Sequence, residues 1–186
     1  MQLIAMIQTL DTMAIGQILG LVLSAFSFFI FFGKTRRSIL TAKLICDIGY
    51  CAQQLMIGAP TGALLDVIAA FREVIFYHRQ TKPWAAHRFW LWIFVALMGL
   101  SPVFTWSGPI SLLPASGSVI AVFSFYCVRP VHIRLLGLLA TLPWFAYAII
   151  TGNYGLILSS IIQLVSIFLG LMRDYREWKA APRECK

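Results

Sequence analysis

The sequence predicts an all-α membrane protein with seven transmembrane helices in a 3+1+3 arrangement, in which two parallel triple-helix repeats are joined by one linker helix. Apolar composition, the distribution of basic residues and an internal repeat lead to this prediction. Only 12% of the 186 residues are charged, whereas a soluble domain has about 25%. At this length we expect a single membrane domain, residues 1–186.

Seven apolar segments have the length of membrane-spanning helices. Each has 17 to 20 residues, which at about 1.5 Å per residue approaches the roughly 30 Å thickness of the hydrocarbon core. The segments are residues 14–33, 39–57, 62–78, 89–106, 110–128, 132–150 and 155–172.

The basic residues predict the orientation of these helices. All 15 Lys and Arg residues lie within residues 34–43, 72–88, 129–134 and 173–186, and in a seven-helix path these stretches all fall on the same side of the membrane. Because positively charged loops are retained in the cytoplasm, we expect the N-terminus outside and residues 173–186 as a basic cytoplasmic tail. This topology also accounts for the net charge of +8, so nucleic acid is not an expected partner.

An internal repeat relates the two ends of the chain. A shift of 93 residues places residues 23–79 on residues 116–172 without a gap, so that the loop GAPTG coincides with TGNYG. The triple-helix repeats are therefore residues 14–78 and 110–172, with residues 89–106 as the linker helix. Three helices cross a membrane an odd number of times, so the additional crossing gives both repeats the same orientation.

Three stretches carry a resemblance to known proteins: IGAPTGALLDVIAAFRE, SLLPASGSVIAVFSFYC and TGNYG. With the 3+1+3 organisation, they resemble the SWEET and PQ-loop (MtN3-like) carriers, and in detail they are similar to the bacterial inner-membrane family YgjV. The resemblance implies a SWEET-like fold and the bacterial inner (cytoplasmic) membrane, whereas function follows only by analogy. It also implies that Trp144 matches a pocket tryptophan, that Ser160 stands where an asparagine is expected, and that Gln163 follows one turn later.

Charged residues at membrane depth mark the interior of the predicted bundle. Asp66, Arg72 and Glu73 lie in one apolar segment, and a charge there costs several kcal/mol unless it faces protein or water. Counting from the shared outer loop places Arg72 level with Asp47 on the preceding helix. We therefore expect a buried Asp47–Arg72 ion pair, for which a purely structural role is favoured.

Asp66 has no basic residue at its predicted level and forms an outer polar cluster with neighbouring glutamines. Its equivalent in the second repeat is Ser159. For Asp66, a role in a solute pathway and a role in helix packing remain open, as do pocket and core roles for Trp144. The residues predicted to bind solute or line a pathway are Asp66, Gln17, Gln53, Gln54, Trp144, Ser159, Ser160 and Gln163.

Two functions are compatible with this pattern. The first is a small-solute carrier or facilitator, for a sugar or another metabolite, that works by alternating access between the repeats. The alternative is a non-transporting membrane interaction or scaffold protein. The sequence contains no converging set of base, nucleophile and metal ligands, so we predict no enzymatic activity, no catalytic residues, no metal and no cofactor. The expected partners are the lipid bilayer and a small-molecule solute, and the oligomeric state is not determined.

Overall fold

A computed structural model describes residues 2–106 and 108–180 of the chain, and side chains within residues 11–106 and 108–179. Over these residues the protein is almost entirely helical and has no β-strand. The helices are α1 (Gln2–Phe32), α2 (Arg36–Met56), α3 (Pro60–His78), α4 (Pro83–Ala86), α5 (Phe89–Phe104), the 3₁₀ helix η1 (Pro109–Ser111), α6 (Leu112–Tyr126), α7 (Pro130–Thr151) and α8 (Tyr154–Ala180).

In the part of the chain that the structure describes, four stretches are long and apolar enough to cross a membrane. They are Asp11–Phe32, Pro109–Tyr126, Pro130–Thr151 and Tyr154–Lys179. Helix α5 is also apolar but has only 16 residues. Helices α2 and α3 have 21 and 19 residues, and their charged and amide side chains lower their hydropathy. Most of those side chains are buried in the bundle: Asp47, Gln53, Gln54, Asp66, Arg72 and Glu73.

The helices end close to the predicted segment boundaries, with differences at three places. The short helix α4 lies in the predicted connection before α5, and α1 begins well before residue 14. Helix α8 continues into the predicted tail as far as Ala180, and its last turns are tied to the bundle by an ion pair between Asp174 and Arg134 of α7. The remainder of the tail, residues 181–186, lies outside the described residues.

Consecutive long helices pack against one another, and α1 also packs along α8. A Cβ atom added to Gly155 would lie 2.7 Å from the Cα of Gly20, and one added to Gly170 would lie 3.0 Å from the Phe31 carbonyl oxygen. Contacts therefore advance along both helices in the same direction, so α1 and α8 run parallel. This contact brings the first and last long helices together.

Helix boundaries recur along the chain. The end of α1, both ends of α2 and the start of α3, each moved by 93 residues, fall within two residues of the corresponding ends of α6, α7 and α8. Helices α1–α3 are therefore called the first triplet and helices α6–α8 the second triplet.

Candidate functional site

A cavity lies among the helices of both triplets. It has about 720 Å³ of space not occupied by protein atoms, a volume that includes open solvent at its mouth. Helices α1, α2, α3, α6, α7 and α8 all contribute side chains to its wall, whereas none of the described lining residues belongs to α5.

One face of α3 forms the charged wall of the cavity. Leu65, Asp66, Ala69 and Arg72 line it, and their spacing places them on one side of a helix. Asp66 Oδ2 accepts a hydrogen bond of 2.7 Å from Nε2 of Gln54 on α2. Both side chains are buried, at 6% and 1% exposure. The structure thus brings two of the predicted pathway residues into direct contact at the cavity.

Arg72 has a different partner from the one predicted. Its Nε and Nη2 donate to Oε2 and Oε1 of Glu73 over 2.9 and 2.8 Å, and its guanidinium lies 5.1 Å from the centre of the Phe125 ring on α6. In this bidentate pair, both carboxylate oxygens of Glu73 accept hydrogen bonds from Arg72. Glu73 lies on the same helix and neutralises the charge of Arg72, while the contact with Phe125 joins α3 to α6.

Asp47 forms an ion pair with Lys43, one turn earlier on α2. An i, i+4 spacing brings two such side chains together on one helix. Asp47 and Arg72 thus have separate partners in place of the predicted ion pair between them, although they remain within electrostatic range of each other. Lys43 itself lines the cavity.

The predicted outer cluster is divided in the structure. Nε2 of Gln53 donates a 3.2 Å hydrogen bond to Oδ1 of Asn153, an atom that also accepts from the backbone N–H of Leu156 in the first turn of α8. Gln17 is half-buried on α1. Neither Gln53 nor Gln17 is among the described residues that line the cavity. Gln53 therefore holds α2 against the start of α8, behind the cavity wall.

Ser160, Gln163 and Trp144 line the wall of the second triplet, whereas Ser159 lies behind it. The Ser159 hydroxyl accepts a 2.9 Å hydrogen bond from Nε2 of Gln163 and lies 2.8 Å from the Ser27 hydroxyl of α1. Ser27 in turn contacts the Tyr50 hydroxyl at 3.0 Å. This chain of side chains connects α8, α1 and α2.

Trp144 occupies a recess made by a glycine. A Cβ atom added to Gly117 of α6 would lie 2.8 Å from its Cδ1 atom. The indole also meets the ring of Tyr147 edge-on, with centroids 6.0 Å apart. Because a larger residue at position 117 would displace the indole, its place in the cavity wall depends on both helices.

Several cavity residues were not predicted. The topology prediction treated Lys43 as a charge of a cytoplasmic loop, although its i, i+4 spacing to Asp47 indicated an ion pair on α2. Tyr50, Ser118 and Thr141 also line the cavity, and nothing in their sequence surroundings distinguishes them from ordinary core residues. Depth along a helix is readable from sequence, whereas the direction in which each side chain points is not.

The cavity has an aromatic floor towards the basic end of the bundle. The rings of Phe31 and Phe125, near the ends of α1 and α6, stack with centroids 6.2 Å apart. Below them, Arg36 donates to the carbonyls of Phe125 and Cys127 over 3.2 and 3.0 Å. Arg79, at the end of α3, donates to the Tyr126 carbonyl. Two arginines of the first triplet thus bind the C-terminal end of α6.

The second triplet makes the reciprocal contacts with α1. Arg134 of α7 donates to the Phe31 and Gly33 carbonyls over 2.8 and 2.7 Å, and Arg173 of α8 donates to the Phe32 carbonyl over 2.9 Å. Helix C-termini carry unpaired carbonyls and partial negative charge, which arginine side chains neutralise. The four arginines therefore hold the triplets together at the basic end.

The sequence of the chain matches one protein family. Residues 14–178 match the family Imp-YgjV, described as bacterial inner membrane protein. Neither the curated proteins nor the solved structures contain a match. The match covers α2 to α7 entirely and most of α1 and α8, and the apolar helices place the protein in contact with the lipid bilayer. The chain therefore belongs to the Imp-YgjV family of bacterial inner membrane proteins.

Proposed function

We propose that the protein is a small-solute carrier or facilitator of the bacterial inner membrane that works by alternating access between the two triplets. The observation that carries this proposal is the cavity, to which all six helices of the two triplets contribute and whose wall includes Asp66 and its partner Gln54. Buried polar groups are costly in a membrane. A solute path is the simplest reason to keep them beside an open space.

The proposed fold is a seven-crossing bundle in which α5 links two parallel repeats and the N-terminus lies outside. Its support is the recurrence of helix ends at 93 residues and the parallel packing of α1 with α8, since the first and seventh helices of such a path cross in the same direction. In this topology the four arginines lie at the cytoplasmic face, in agreement with the retention of positive charge there.

The mechanism follows from the contacts that close the basic end. Opening the cavity to the cytoplasm requires the Phe31 and Phe125 rings to separate and α6 to leave Arg36 and Arg79. Opening it outwards requires movement at the other ends of the same helices. Rocking of one triplet against the other exchanges these states without rebuilding either triplet.

The second candidate is a non-transporting interaction or scaffold protein. It is favoured by the number of polar groups that already bind one another, such as the Ser27–Ser159 contact and the Arg72–Glu73 pair. On this proposal the cavity is a packing defect and never opens to either side. Neither proposal includes enzymatic activity.

Accessibility from both sides distinguishes the two functions. In a protein whose four native cysteines are replaced by serine, we would introduce Ala121→Cys, which lines the cavity, and separately Ala115→Cys, which is buried on the same helix outside it. A water-soluble thiol reagent should label Ala121→Cys both in intact cells and in inverted membrane vesicles, and should leave Ala115→Cys unlabelled. Labelling from one side alone, or from neither, would contradict alternating access.

The orientation has its own test, with exposed positions. Single cysteines at Trp106 and Tyr154 should react with an impermeant reagent in intact cells, and those at Ala86 and Val131 should react only in inverted vesicles. A mixed pattern would exclude the proposed seven-crossing topology.

A further inference from the structure

Asp66 differs from the other buried carboxyl groups near the cavity. Lys43 pairs with Asp47 and Arg72 pairs with Glu73. Among the described residues, Asp66 has no cation in direct contact, and the neutral amide of Gln54 is its hydrogen-bond donor. The cavity wall therefore has one carboxyl group without an ion pair.

Gln54 fixes the position of Asp66. Its Nε2 donates to Asp66 Oδ2, and its buried Oε1 packs against Gly62 of α3, where an added Cβ atom would lie 1.7 Å from it. The amide therefore holds the carboxyl group of Asp66, which lines the cavity.

An aromatic surface lies in the same cavity. Trp144 lines the second triplet's wall, and Tyr147, which meets Trp144 edge-on, is within electrostatic range of Asp66. Aromatic faces attract cations, and tryptophan does so most strongly. A carboxylate and an indole are together groups that recognise an ammonium ion.

We propose that the cavity binds a small organic cation bearing an ammonium group, with Asp66 as its counter-ion and Trp144 as its aromatic contact. The inference rests on the proposed function in taking this cavity as the solute site. An anionic solute is disfavoured, since the charges of Lys43 and Arg72 are already neutralised within the protein. A solute with an ammonium group and a compact apolar body matches both the charged and the aromatic walls.

The test compares probes of one shape and different charge. Cyclohexylammonium, cyclohexanol and cyclohexanecarboxylate would each be titrated at neutral pH into the purified full chain in detergent, with thermal unfolding as the readout. A ligand that binds only the folded state raises the unfolding temperature. We expect a saturable increase with cyclohexylammonium alone. Equal increases with cyclohexanol, a larger one with the carboxylate, or none with any probe would overturn the inference.

Matched variants assign the effect to the cavity. Asp66→Asn preserves the side-chain shape and should weaken the apparent affinity for cyclohexylammonium about tenfold or more. Asp11→Asn removes a carboxylate from an exposed position of α1 and should leave it unchanged. If both variants respond like the wild type, binding is not at Asp66 and the inference fails.

A second readout does not depend on folding of the Asp66 variant. Cyclohexylammonium should slow the labelling of Ala121→Cys, and cyclohexanol should not. Loss of this protection difference contradicts cation binding even where labelling from both sides supports a carrier. Conversely, protection without two-sided access would retain the cation site and reject the carrier.

Discussion

The two interfaces between the triplets differ sharply, although they involve equivalent helices. At one, the first helix of the first triplet, α1, packs on the third helix of the second, α8. At the other, the first helix of the second triplet, α6, meets the third helix of the first, α3. Helices α1 and α8 approach until Gly20 and Gly155 touch, whereas α3 and α6 contact each other more sparsely and border the cavity.

Side-chain size explains part of this difference. At the 93-residue spacing, Leu113 of α6 is the counterpart of Gly20, so α6 has a branched side chain where α1 has none. Helices in a membrane associate closely where small residues allow backbone contact. The glycine pair therefore allows tight packing of α1 on α8, which we call the closed interface. The contact between α3 and α6 lacks such a pair and is less tightly packed, and we call it the open interface.

Charge explains the remainder. Asp66 and Arg72 of α3 correspond to Ser159 and Val165 of α8. Ser159 is satisfied by a short hydrogen bond to Ser27 across the closed interface, while Asp66 faces the cavity. In the proposed rocking motion, the closed interface serves as the axis. The open interface borders the cavity that contains the candidate solute site.

The largest effect is expected at the open interface, from Arg72. Arg72→Met should destabilise the protein by about 3–5 kcal/mol, because Glu73 becomes a buried charge without a partner. The double variant Arg72→Met with Glu73→Met should cost much less. Unfolding in mixed detergent micelles measures both free energies. Additive costs would mean that the pair is not coupled.

At the closed interface, Gly155→Ala should cost about 1–3 kcal/mol, because its Cβ meets the backbone of Gly20 and neither helix can yield without separating. Gly99→Ala on α5 is the control. Its nearest neighbour would be 3.9 Å away, so the change should be neutral or should stabilise by up to about 1 kcal/mol through helix propensity. Similar unfolding free energies for Gly155→Ala and Gly99→Ala would show that close packing of Gly155 on Gly20 does not stabilise the closed interface.

The arginines at the basic end should differ according to the interface that they hold. Arg36→Gln weakens the bonds to the end of α6, which moves in the proposed mechanism, and should accelerate labelling of Ala121→Cys in inverted vesicles about tenfold, equivalent to roughly 1.4 kcal/mol. Arg173→Gln weakens the bond to the end of α1 and should change that rate little. Equal acceleration by both would remove the distinction between a fixed and a moving interface.

The smallest effect is expected for a hydrogen bond within the closed interface. Ser159→Ala removes the contact with Ser27 and should cost about 0.6 kcal/mol, the average for such bonds between membrane helices. Ser116→Ala, at an exposed position of α6 where the hydroxyl bonds only to its own helix, should be neutral in the same unfolding assay. A cost above about 2 kcal/mol for Ser159→Ala would indicate that the closed interface depends on polar contacts more than on glycine packing.

The positions of the helices were accessible from sequence, because the apolar segments are separated by short stretches that contain Gly, Pro, Lys or Arg. Helix α3, for example, was predicted over residues 62–78 and observed at Pro60–His78. The prediction also placed Asp66, Gln54, Trp144, Ser160 and Gln163 in a pathway, and all five line one cavity. Whether that cavity carries solute stays a prediction.

The ion-pair partners of the buried charged residues were harder to predict from the sequence. Depth counting correctly identified Asp47 and Arg72 as buried, yet it carries no information on the direction around the helix axis. The actual partner of Asp47 is Lys43, and that of Arg72 is Glu73. Each partner is close in sequence, and its side chain is long enough to make the contact. The same limitation separated Gln53 from Gln54: the two are adjacent in sequence but point to different helices.

The exchange of arginines between the triplets has a consequence for biogenesis. The carbonyl of Phe31 is bound by Arg134, which the ribosome adds 103 residues later, and that of Phe32 by Arg173, 141 residues later. In the proposed topology, the end of α1 must therefore rest against headgroups and water at the bilayer surface while the chain is being made. The arginines that would orient the nascent helices in that topology form these internal contacts only when nearly all of the chain has been inserted.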